Sequence, residues 1–183
     1  MDADERTLVI RAQSGDIDAF SGLVASHWVR LVRFARSVVR SDDAEDLVQN
    51  GLVKAWEKLA ALRDPGAFSA WLLRIVSREC FSHARRNRRL VPLSEIRDPS
   101  DPAGRDRIEA INVERVLAVL PARQRAVMHL TVVEGMSDSE IGEALHITAA
   151  SVRSHRRRAK ENLNSVLRSA VPIREAANEI AGG

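Results

Sequence analysis

A run of basic side chains stands near the carboxyl end of the chain, in the stretch SVRSHRRRAKENL at 151–163. Five of the eight residues from Arg153 to Lys160 are Arg or Lys, and the first acid after them is Glu161. Guanidinium groups bind phosphate oxygens and the edge of guanine, so the chemistry open to this run is nucleic-acid recognition. The alternative is a solvated basic face with no ligand.

The residues before the basic run favour a helix-turn-helix. The sequence SDSE at 137–140 fits a capping box that starts a short helix, and Thr148 can cap a second helix that begins at Ala149. Four apolar residues are spaced to share one core: Ile141, Leu145, Ile147 and Val152. Two short helices joined by about three residues form this motif, and the basic run lies on its second helix.

The helical period divides the residues of this second helix into two faces. At ~100° per residue, Val152, Ala159 and Leu163 fall together on the face that must be buried. Small side chains at the helix start allow close approach to the major groove, and arginines on the open face can reach bases or phosphates. The DNA-facing candidates are Ala150, Ser151, Arg153, Ser154, Arg157 and Arg158. Arg156 lies nearer the apolar face, where it either snorkels or contacts a neighbouring domain.

An acidic cluster contrasts with the basic run. Asp42, Asp43, Glu45 and Asp46 have no base between them, and they open a predicted helix whose apolar stripe leaves Asp46, Gln49 and Asn50 on its other faces. Acids at a helix N-terminus also favour the helix dipole, which is the simpler explanation of Asp42 and Asp43. The charge asymmetry nevertheless indicates two kinds of partner surface, one of them for nucleic acid.

The periodicity of the 183 residues predicts an all-α protein made of two small helical domains. Apolar residues recur at three- and four-residue steps nearly throughout, without β-type alternation. The stretch 91–107 holds three of the six prolines and is predicted to be a flexible linker. All seven aromatic residues lie at or before Phe81, which predicts two independent cores. The predicted units are therefore 1–90, the linker, 108–170, which begins with a helix over 108–120, and a tail at 171–183.

No enzyme or metal chemistry is predicted. The five histidines fall into no nucleophile or metal pattern, and the single cysteine, Cys80, can form no internal disulfide. We therefore expect no catalytic residues, no metal and no cofactor. The N-terminus is acidic and lacks the order of a signal peptide, and no apolar run approaches the roughly 20 residues that cross a bilayer. These features predict a cytoplasmic protein without membrane insertion.

Three segments carry a resemblance to a known family. They are AEDLVQNGLVKAW at 44–56, AWLLRIVSRECFSHARR at 70–86 and LPARQRAVMHLTVVEGMSDSEIGEAL at 120–145. In this order, with a linker after the second, they resemble the signature segments of extracytoplasmic-function (ECF) sigma factors, the promoter-specificity subunits of bacterial RNA polymerase. The similarity covers about residues 5 to 168.

The resemblance implies a role for each unit. Residues 1–90 would be sigma region 2 and residues 108–170 sigma region 4, whose basic helix would read the minus-35 duplex. The resemblance assigns core-polymerase contacts to Asp43, Glu45, Asp46, Gln49 and Asn50. It assigns the melted minus-10 element to Arg63, Trp71, Arg74, Arg78, Arg85 and Arg86, although Trp71 also fits a core position. The implied partners are core RNA polymerase, promoter DNA and an anti-sigma factor, and the implied role is transcription of a stress- or signal-responsive regulon.

Several positions depart from the family pattern and leave the promoter sequence open, among them Ser77, Glu79 and the pair Asn50-Gly51. Arg78 stands where Asn is usual, Ser82 where Asp is common, His146 at the usual turn glycine, and Arg156 at a usual apolar position. The rival hypothesis is a stand-alone helix-turn-helix regulator that binds duplex DNA as a dimer without polymerase. The acidic helix and the basic residues at 85–89 disfavour it, because its first domain would not need a second nucleic-acid surface.

Overall fold

The computed structural model describes residues 3–39, 42–90 and 120–170, and the described residues form seven α-helices and no strand. The helices are α1 (Ala3–Gln13), α2 (Ile17–Val39), α3 (Ala44–Lys58), α4 (Phe68–Leu90), α5 (Ala122–Val132), α6 (Asp138–Leu145) and α7 (Ala149–Ala170). The prediction of an all-α chain is therefore confirmed. The predicted linker, the predicted helix over 108–120 except for Leu120, and the tail at 171–183 lie outside the described residues. None of the described helices is long and apolar enough to span a membrane.

The first domain is a bundle of α1 to α4 whose breaks fall at the predicted turn residues. Gly15 has a positive φ of 92°, and the carboxylate of Asp16 caps α2 by accepting from the backbone N–H of Ala19 at 2.9 Å. Between α3 and α4, Asp64 accepts from the N–H of Gly66 at 2.9 Å. These caps let α2 place Leu23 and Phe34 against Phe68 and Leu72 of α4 in the core.

Close packing of α3 on α4 explains the glycine that follows Asn50. A Cβ atom on Gly51 would lie 2.9 Å from Cγ2 of Val76, so any larger residue would push the two helices apart. The side chain of Gln13 fixes the chain after α3 by donating to the carbonyl oxygens of Leu59 and Leu62 at 3.1 and 2.7 Å. The first contact sets the spacing of α3 and α4, and the second holds α1 against the segment after α3.

The second domain packs α5, α6 and α7 around an aliphatic core. Pro121 precedes α5, and its carbonyl accepts from the N–H groups of residues 124 and 125. Gly135 has a φ of 65° and ends the segment before α6, as predicted. The fully buried side chains are Val127, Leu130, Ile141 and Val152, together with Ala126, Ala144 and Ala159.

The two domains share one core, and the prediction of two independent cores is wrong. Helix α5 packs against α2, and α6 packs against α4, so that buried side chains of both domains form one continuous cluster. The rings of Phe34 and His129 lie 5.9 Å apart across this interface. The distribution of aromatic residues along the chain could not reveal it, because the second domain contributes aliphatic side chains to an aromatic partner.

Polar contacts fix the two domains in register. The guanidinium of Arg125, on α5, is 8% exposed and donates to the carbonyls of Ser37 (3.0 Å) and Val38 at the end of α2, and to that of Leu120. Arg30 of α2 donates to Glu134 at 2.6 Å and to the hydroxyl of Ser69 at 2.8 Å. Arg125 thus satisfies carbonyls that the last turn of a helix leaves without partners.

His129 is the least satisfied polar group at this interface. Its side chain is 4% exposed, its Nε2 atom has no hydrogen-bond partner among the described residues, and the Glu134 carboxylate lies 3.7 Å away. Burial lowers the pKa of His129 below its ordinary value, assisted by Arg33 and Arg30, and Glu134 only partly opposes this effect. The folded protein therefore favours the neutral ring.

Replacing the arginine at the domain interface is expected to destabilise the protein. In Arg125→Met the three carbonyl acceptors lose their donor, so the free energy of unfolding should fall by about 1–3 kcal/mol. Urea unfolding followed by circular dichroism measures this change. Arg33→Met, which removes an exposed arginine from α2, is the control and should change the free energy by less than about 0.5 kcal/mol. Equal stability of the two variants would contradict the structural role of Arg125.

The stability of the protein is expected to fall in mild acid because of His129. The unfolded ring takes up a proton at its ordinary pKa of 6.5, whereas the folded ring has a lower pKa and resists protonation. The stability that depends on a neutral His129 ring is therefore fully present above about pH 6.5 and is lost as the pH falls below that value. Unfolding titrations between neutral and mildly acidic pH should show a shallower decline for His129→Leu than for the wild type.

The control for this titration is His146→Asn. It removes an exposed histidine, and Asn tolerates the left-handed backbone at that position. It should therefore keep the pH dependence of the wild type. A His129→Leu profile identical to that of the wild type would rule out His129 as the source.

Candidate functional site

The predicted helix-turn-helix consists of α6, a three-residue turn and α7. The N–H of Glu140 bonds to the Ser137 hydroxyl at 3.3 Å, and the Glu140 carboxylate accepts from the N–H of Ser137 at 2.8 Å, which completes the capping box. Hydrogen bonds from the hydroxyl and N–H of Ser137 lower the pKa of Glu140. The Thr148 hydroxyl accepts from the N–H of Ser151 at 3.1 Å and caps α7. Both predicted caps are confirmed.

The turn between these helices packs closely against Gly142 of α6. A Cβ atom on Gly142 would lie 2.8 Å from the carbonyl oxygen of Ile147, so the turn folds directly over this glycine. His146 takes the left-handed conformation, with φ 55° and ψ 52°, and its N–H closes the end of α6. Histidine is one of the residues that enters this region at moderate cost, which explains how it can replace a turn glycine.

The face of α7 that points away from the core is basic. Val152 and Ala159 are fully buried, Leu163 is half-buried, and the side chains of Arg153 and Arg157 are 59% and 67% exposed. Of the predicted DNA-facing residues, Ala150 and Arg158 are also exposed, whereas Ser151 and Ser154 are half-buried. Arg157 pairs with Glu161 one turn later at 2.8 Å, a surface ion pair of small energy.

Arg156 lies on the inner side of α7 and contacts α6. Its two terminal nitrogens donate to the two carboxylate oxygens of Asp138 at 2.6 and 3.2 Å, in a bidentate ion pair. Of the two roles considered from the sequence, neither is observed, because the partner belongs to its own domain. The same carboxylate lies 3.7 Å from the guanidinium of Arg153.

A second group of basic residues lies along one side of α4, together with Trp71. Trp71, Arg74, Arg78 and Arg85 recur at three, four and seven residues, so they lie along one side of the helix, with Arg86 beside them. Arg78, Arg85 and Arg86 are exposed, as is Arg63 in the loop before α4. Trp71 is half-buried and packs against the core, 6.0 Å from the ring of Phe68. Arg74 is half-buried and donates to the carbonyl of Glu143 on α6 at 3.3 Å.

The acidic residues of α3 occupy different environments. Asp46, Gln49 and Asn50 are exposed on the predicted face. Glu45 pairs with Arg36 at 2.6 Å. Asp43 precedes α3 without a capping hydrogen bond from its side chain and lies instead 3.2 Å from the ring of His83. Asp43 is the N-cap residue of α3, where the helix dipole favours an acid, but its side chain forms no cap.

An apolar groove of about 690 Å³ runs between α2 and α3 beside this acidic face. Val53 is 59% exposed and lies one turn after Gln49 and Asn50, so it connects the acidic face to the groove. Ile17, on the opposite wall of the groove, is 63% exposed. The floor of the groove is formed by Phe20 and Trp56, whose rings lie 5.0 Å apart. Sequence reasoning missed the groove, because only the relative position of two helices creates it.

The single cysteine of the chain carries a buried thiol. Burial, aided by the charge of Glu79, raises the pKa of Cys80 to about 12, so this thiol stays protonated at neutral pH. No three His, Cys, Asp or Glu side chains within the described ranges are grouped closely enough to hold a metal ion.

Comparison with known proteins decides the family. The family models for sigma-70 region 2 and sigma-70 region 4 match residues 23–90 and 110–163. An ECF RNA polymerase sigma factor, SigM of Mycobacterium tuberculosis, is 32% identical over 84% of this chain and 80% of its own length. The chain belongs to the ECF sigma factors. Sigma factors are DNA-binding regulatory proteins of RNA polymerase, so the alternative of a stand-alone regulator is not favoured.

Further sigma factors resemble it along nearly the whole chain. The RNA polymerase sigma factor CnrH of Cupriavidus metallidurans is 32% identical over 91% of this chain and 95% of its own. The structure of CnrH in complex with the cytosolic domain of CnrY has a TM-score of 0.67, at 32% identity, and covers 91% of this chain and 98% of that chain. Bartonella quintana RpoE, solved with the anti-sigma factor NepR, has a TM-score of 0.63, at 27% identity over 81% and 96% of the two chains.

Two functional side chains of this sigma factor were missed by sequence reasoning. From the sequence, Asp138 is recognisable only as part of the capping box. Arg156 falls near the buried face of α7, but the sequence does not identify the acid with which it pairs. Arg125 lies within the segment at 120–145, but no sequence pattern singles it out, because its buried position depends on the other domain. In both cases the missing information was the identity of the residue across the contact.

Replacing the glycine beneath the helix-turn-helix turn is expected to destabilise the protein. In Gly142→Ala the new methyl group meets a backbone oxygen that has little freedom to move, and such overpacking costs about 1–3 kcal/mol. Thermal unfolding followed by circular dichroism measures the change.

The matched control is Gly22→Ala on α2, where a Cβ atom would lie 3.9 Å from Leu8. This substitution should raise the free energy of unfolding by about 0.5–1 kcal/mol, because alanine favours the helix. The two variants should therefore change stability in opposite directions. A stabilised Gly142→Ala protein would show that the turn is looser than described.

Proposed function

We propose that this sigma factor directs core RNA polymerase to specific promoters and uses its two domains for different elements. Its first domain binds polymerase and the melted minus-10 strand, and its helix-turn-helix reads the minus-35 duplex. The observation that carries the proposal is the presence of an exposed acidic face on α3 and an exposed basic face on α7, one in each of the regions matched by the family. Polymerase performs the chemistry, and the sigma factor itself has no catalytic activity and acts in the cytoplasm.

The proposed domain boundaries follow the resemblance. Residues 1–90 form region 2, residues 91–107 the linker, residues 108–170 region 4, and residues 171–183 a tail. The two family models support the division into two domains, since one match ends at residue 90 and the other begins at residue 110. The regulon is proposed to respond to stress or to an external signal, as the ECF class of the relatives suggests.

The polymerase-binding surface is proposed to comprise the acidic face and the groove beside it. Asp46, Gln49 and Asn50 offer exposed polar contacts, and Glu45 and Asp43 add negative charge for a basic partner. The apolar wall at Val53 continues this face without a break, and an interface needs such an apolar centre as well as a polar rim.

The minus-10 surface is proposed to be the basic side of α4. Arg63, Arg78, Arg85 and Arg86 are exposed and suited to the phosphates of a single strand, for which an open cationic groove is needed. Trp71 and Arg74 belong to the same side, but Arg74 is engaged by the carbonyl of Glu143 on α6. This bond uses one of the guanidinium donors of Arg74 and is compatible with a phosphate contact by the others.

The minus-35 surface is proposed to be the N-terminal half of α7. Ala150, Ser151 and Ser154 leave room for close approach to the major groove, and Arg153, Arg157 and Arg158 supply the donors. We further propose that an anti-sigma factor restrains this protein. The support is that both structural relatives were solved with such a partner or with a cytosolic domain bound to them.

Binding to core RNA polymerase tests the proposal. We expect purified wild-type protein to form a complex with bacterial core polymerase in size exclusion and fluorescence anisotropy, and the double variant Asp46→Lys, Gln49→Ala to bind at least about tenfold more weakly. The reason is that the variant places a cation where a basic partner is expected, and a like-charge contact costs more than 1.4 kcal/mol, which is tenfold in affinity.

The matched control is Asp4→Lys, which makes the same charge change at an exposed acid of α1. It should bind as the wild type does. Equal weakening by both variants would indicate a general charge effect rather than a site. Failure of the folded wild type to bind polymerase would overturn the proposal and redirect attention to duplex DNA bound without polymerase.

A further inference from the structure

An ion triad joins α6 to α7, and the proposed function assigns a role to only one of its three members, Arg153. Asp138 forms the bidentate pair with Arg156, and Arg153 Nη1 lies 3.7 Å from the same carboxylate. The side chains of Asp138 and Arg156 are 21% and 29% exposed, whereas that of Arg153 is 59% exposed. The triad therefore joins an inner arginine to one that faces outward.

The carboxylate at the centre of this triad is held rigidly. Asp138 is the first residue of α6, directly after the Ser137 cap, where the helix dipole also favours an acid. Its two oxygens are both engaged by Arg156, in the planar geometry that makes such pairs specific. A carboxylate with fixed position and direction can orient a cation that lies beside it.

The carboxylate of Asp138 orients Arg153 without occupying the hydrogen-bond donors of that arginine. A separation of 3.7 Å is within the range of an ion pair but too long for a hydrogen bond, so the donors of Arg153 stay available. Arg157 differs, because it donates to Glu161, which is itself 56% exposed and thus a weak restraint. Arg153 therefore lies beside a carboxylate of fixed position while its own hydrogen-bond donors remain available to DNA.

We propose that Asp138, clamped by Arg156, is a positioning residue that directs Arg153 to a guanine edge of the upstream promoter duplex. An arginine that is already oriented loses less entropy when it makes a bidentate contact to a base. The nearby negative charge also disfavours a phosphate partner for Arg153, so this arginine reads sequence while its neighbours bind the backbone. The inference rests on the proposed function of α7 in minus-35 recognition.

Selection from a pool of random-sequence duplexes tests this role. Holoenzyme assembled from core polymerase and full-length protein is incubated with the pool, and the bound fraction is sequenced for the wild type, Arg153→Ala and Asp138→Asn. We expect both variants to lose preference at the same base positions, by about 5- to 150-fold, which is the discrimination that one bidentate contact provides. Asp138→Glu should restore part of it, because the charge returns.

Two further variants separate positioning from a structural effect. Glu161→Gln makes the same acid-to-amide change beside Arg157 and should keep the base preference of the wild type. Arg156→Met releases Asp138 while filling the same space, and it should relax the same positions as Asp138→Asn. This variant also keeps the test decisive if Asp138→Asn does not fold, which thermal unfolding would reveal.

The salt dependence of binding provides a readout that a loosened fold would not mimic. Asp138→Asn should leave the slope of log affinity against log salt unchanged, because phosphate contacts remain, whereas Arg158→Ala should reduce that slope by about 1. An Asp138→Asn protein that keeps the wild-type preference, or that binds all sequences more weakly by one factor, overturns the positioning role. If the wild-type holoenzyme does not form, or selects no sequence, the proposed function itself fails.

Discussion

The arrangement of the two domains depends on one buried cation. Arg125 lies on α5, yet two of its nitrogens donate to carbonyls at the end of α2. A guanidinium removed from water is unfavourable unless its donors find acceptors, and helix ends are where backbone acceptors are free. The contact therefore has one geometric solution, with the start of α5 placed against the end of α2. Helix α6 is then brought onto α4, since the connection from α5 to α6 is short.

This packing determines which charged surfaces remain open. The contact of α6 with α4 engages Arg74 but leaves Arg78 and the basic end of α4 exposed, together with the outer face of α7. The interface mixes apolar packing with ion pairs such as Arg30 with Glu134, and it contains an unsatisfied nitrogen on His129. Interfaces of this mixed kind between domains resemble transient ones.

The parts of the structure that depend on near neighbours in sequence could be predicted. The seven helices follow from apolar periodicity, and the capping box at Ser137 and the cap at Thr148 are recognisable because each involves residues three apart. The shared core and Arg125 could not be predicted, because each requires knowing which helix of the other domain lies opposite. The exposure of Asp46, Gln49 and Asn50 was predictable from the apolar stripe of α3, but the groove beside them required the spacing of two helices.

The basic run on α7 shows why a cluster of like charges should not be treated as one surface. At ~100° per residue, Arg156 lies roughly 40° from the centre of the buried face near Val152, whereas Arg153 lies roughly 100° and Arg157 roughly 140° from it. The first is therefore close enough to the core to require a carboxylate, the second stands where that carboxylate can still reach it, and the third meets only a solvated acid. Arg156, Arg153 and Arg157 are therefore held less and less firmly, in that order. One helix can thus combine rigid and adaptable contacts.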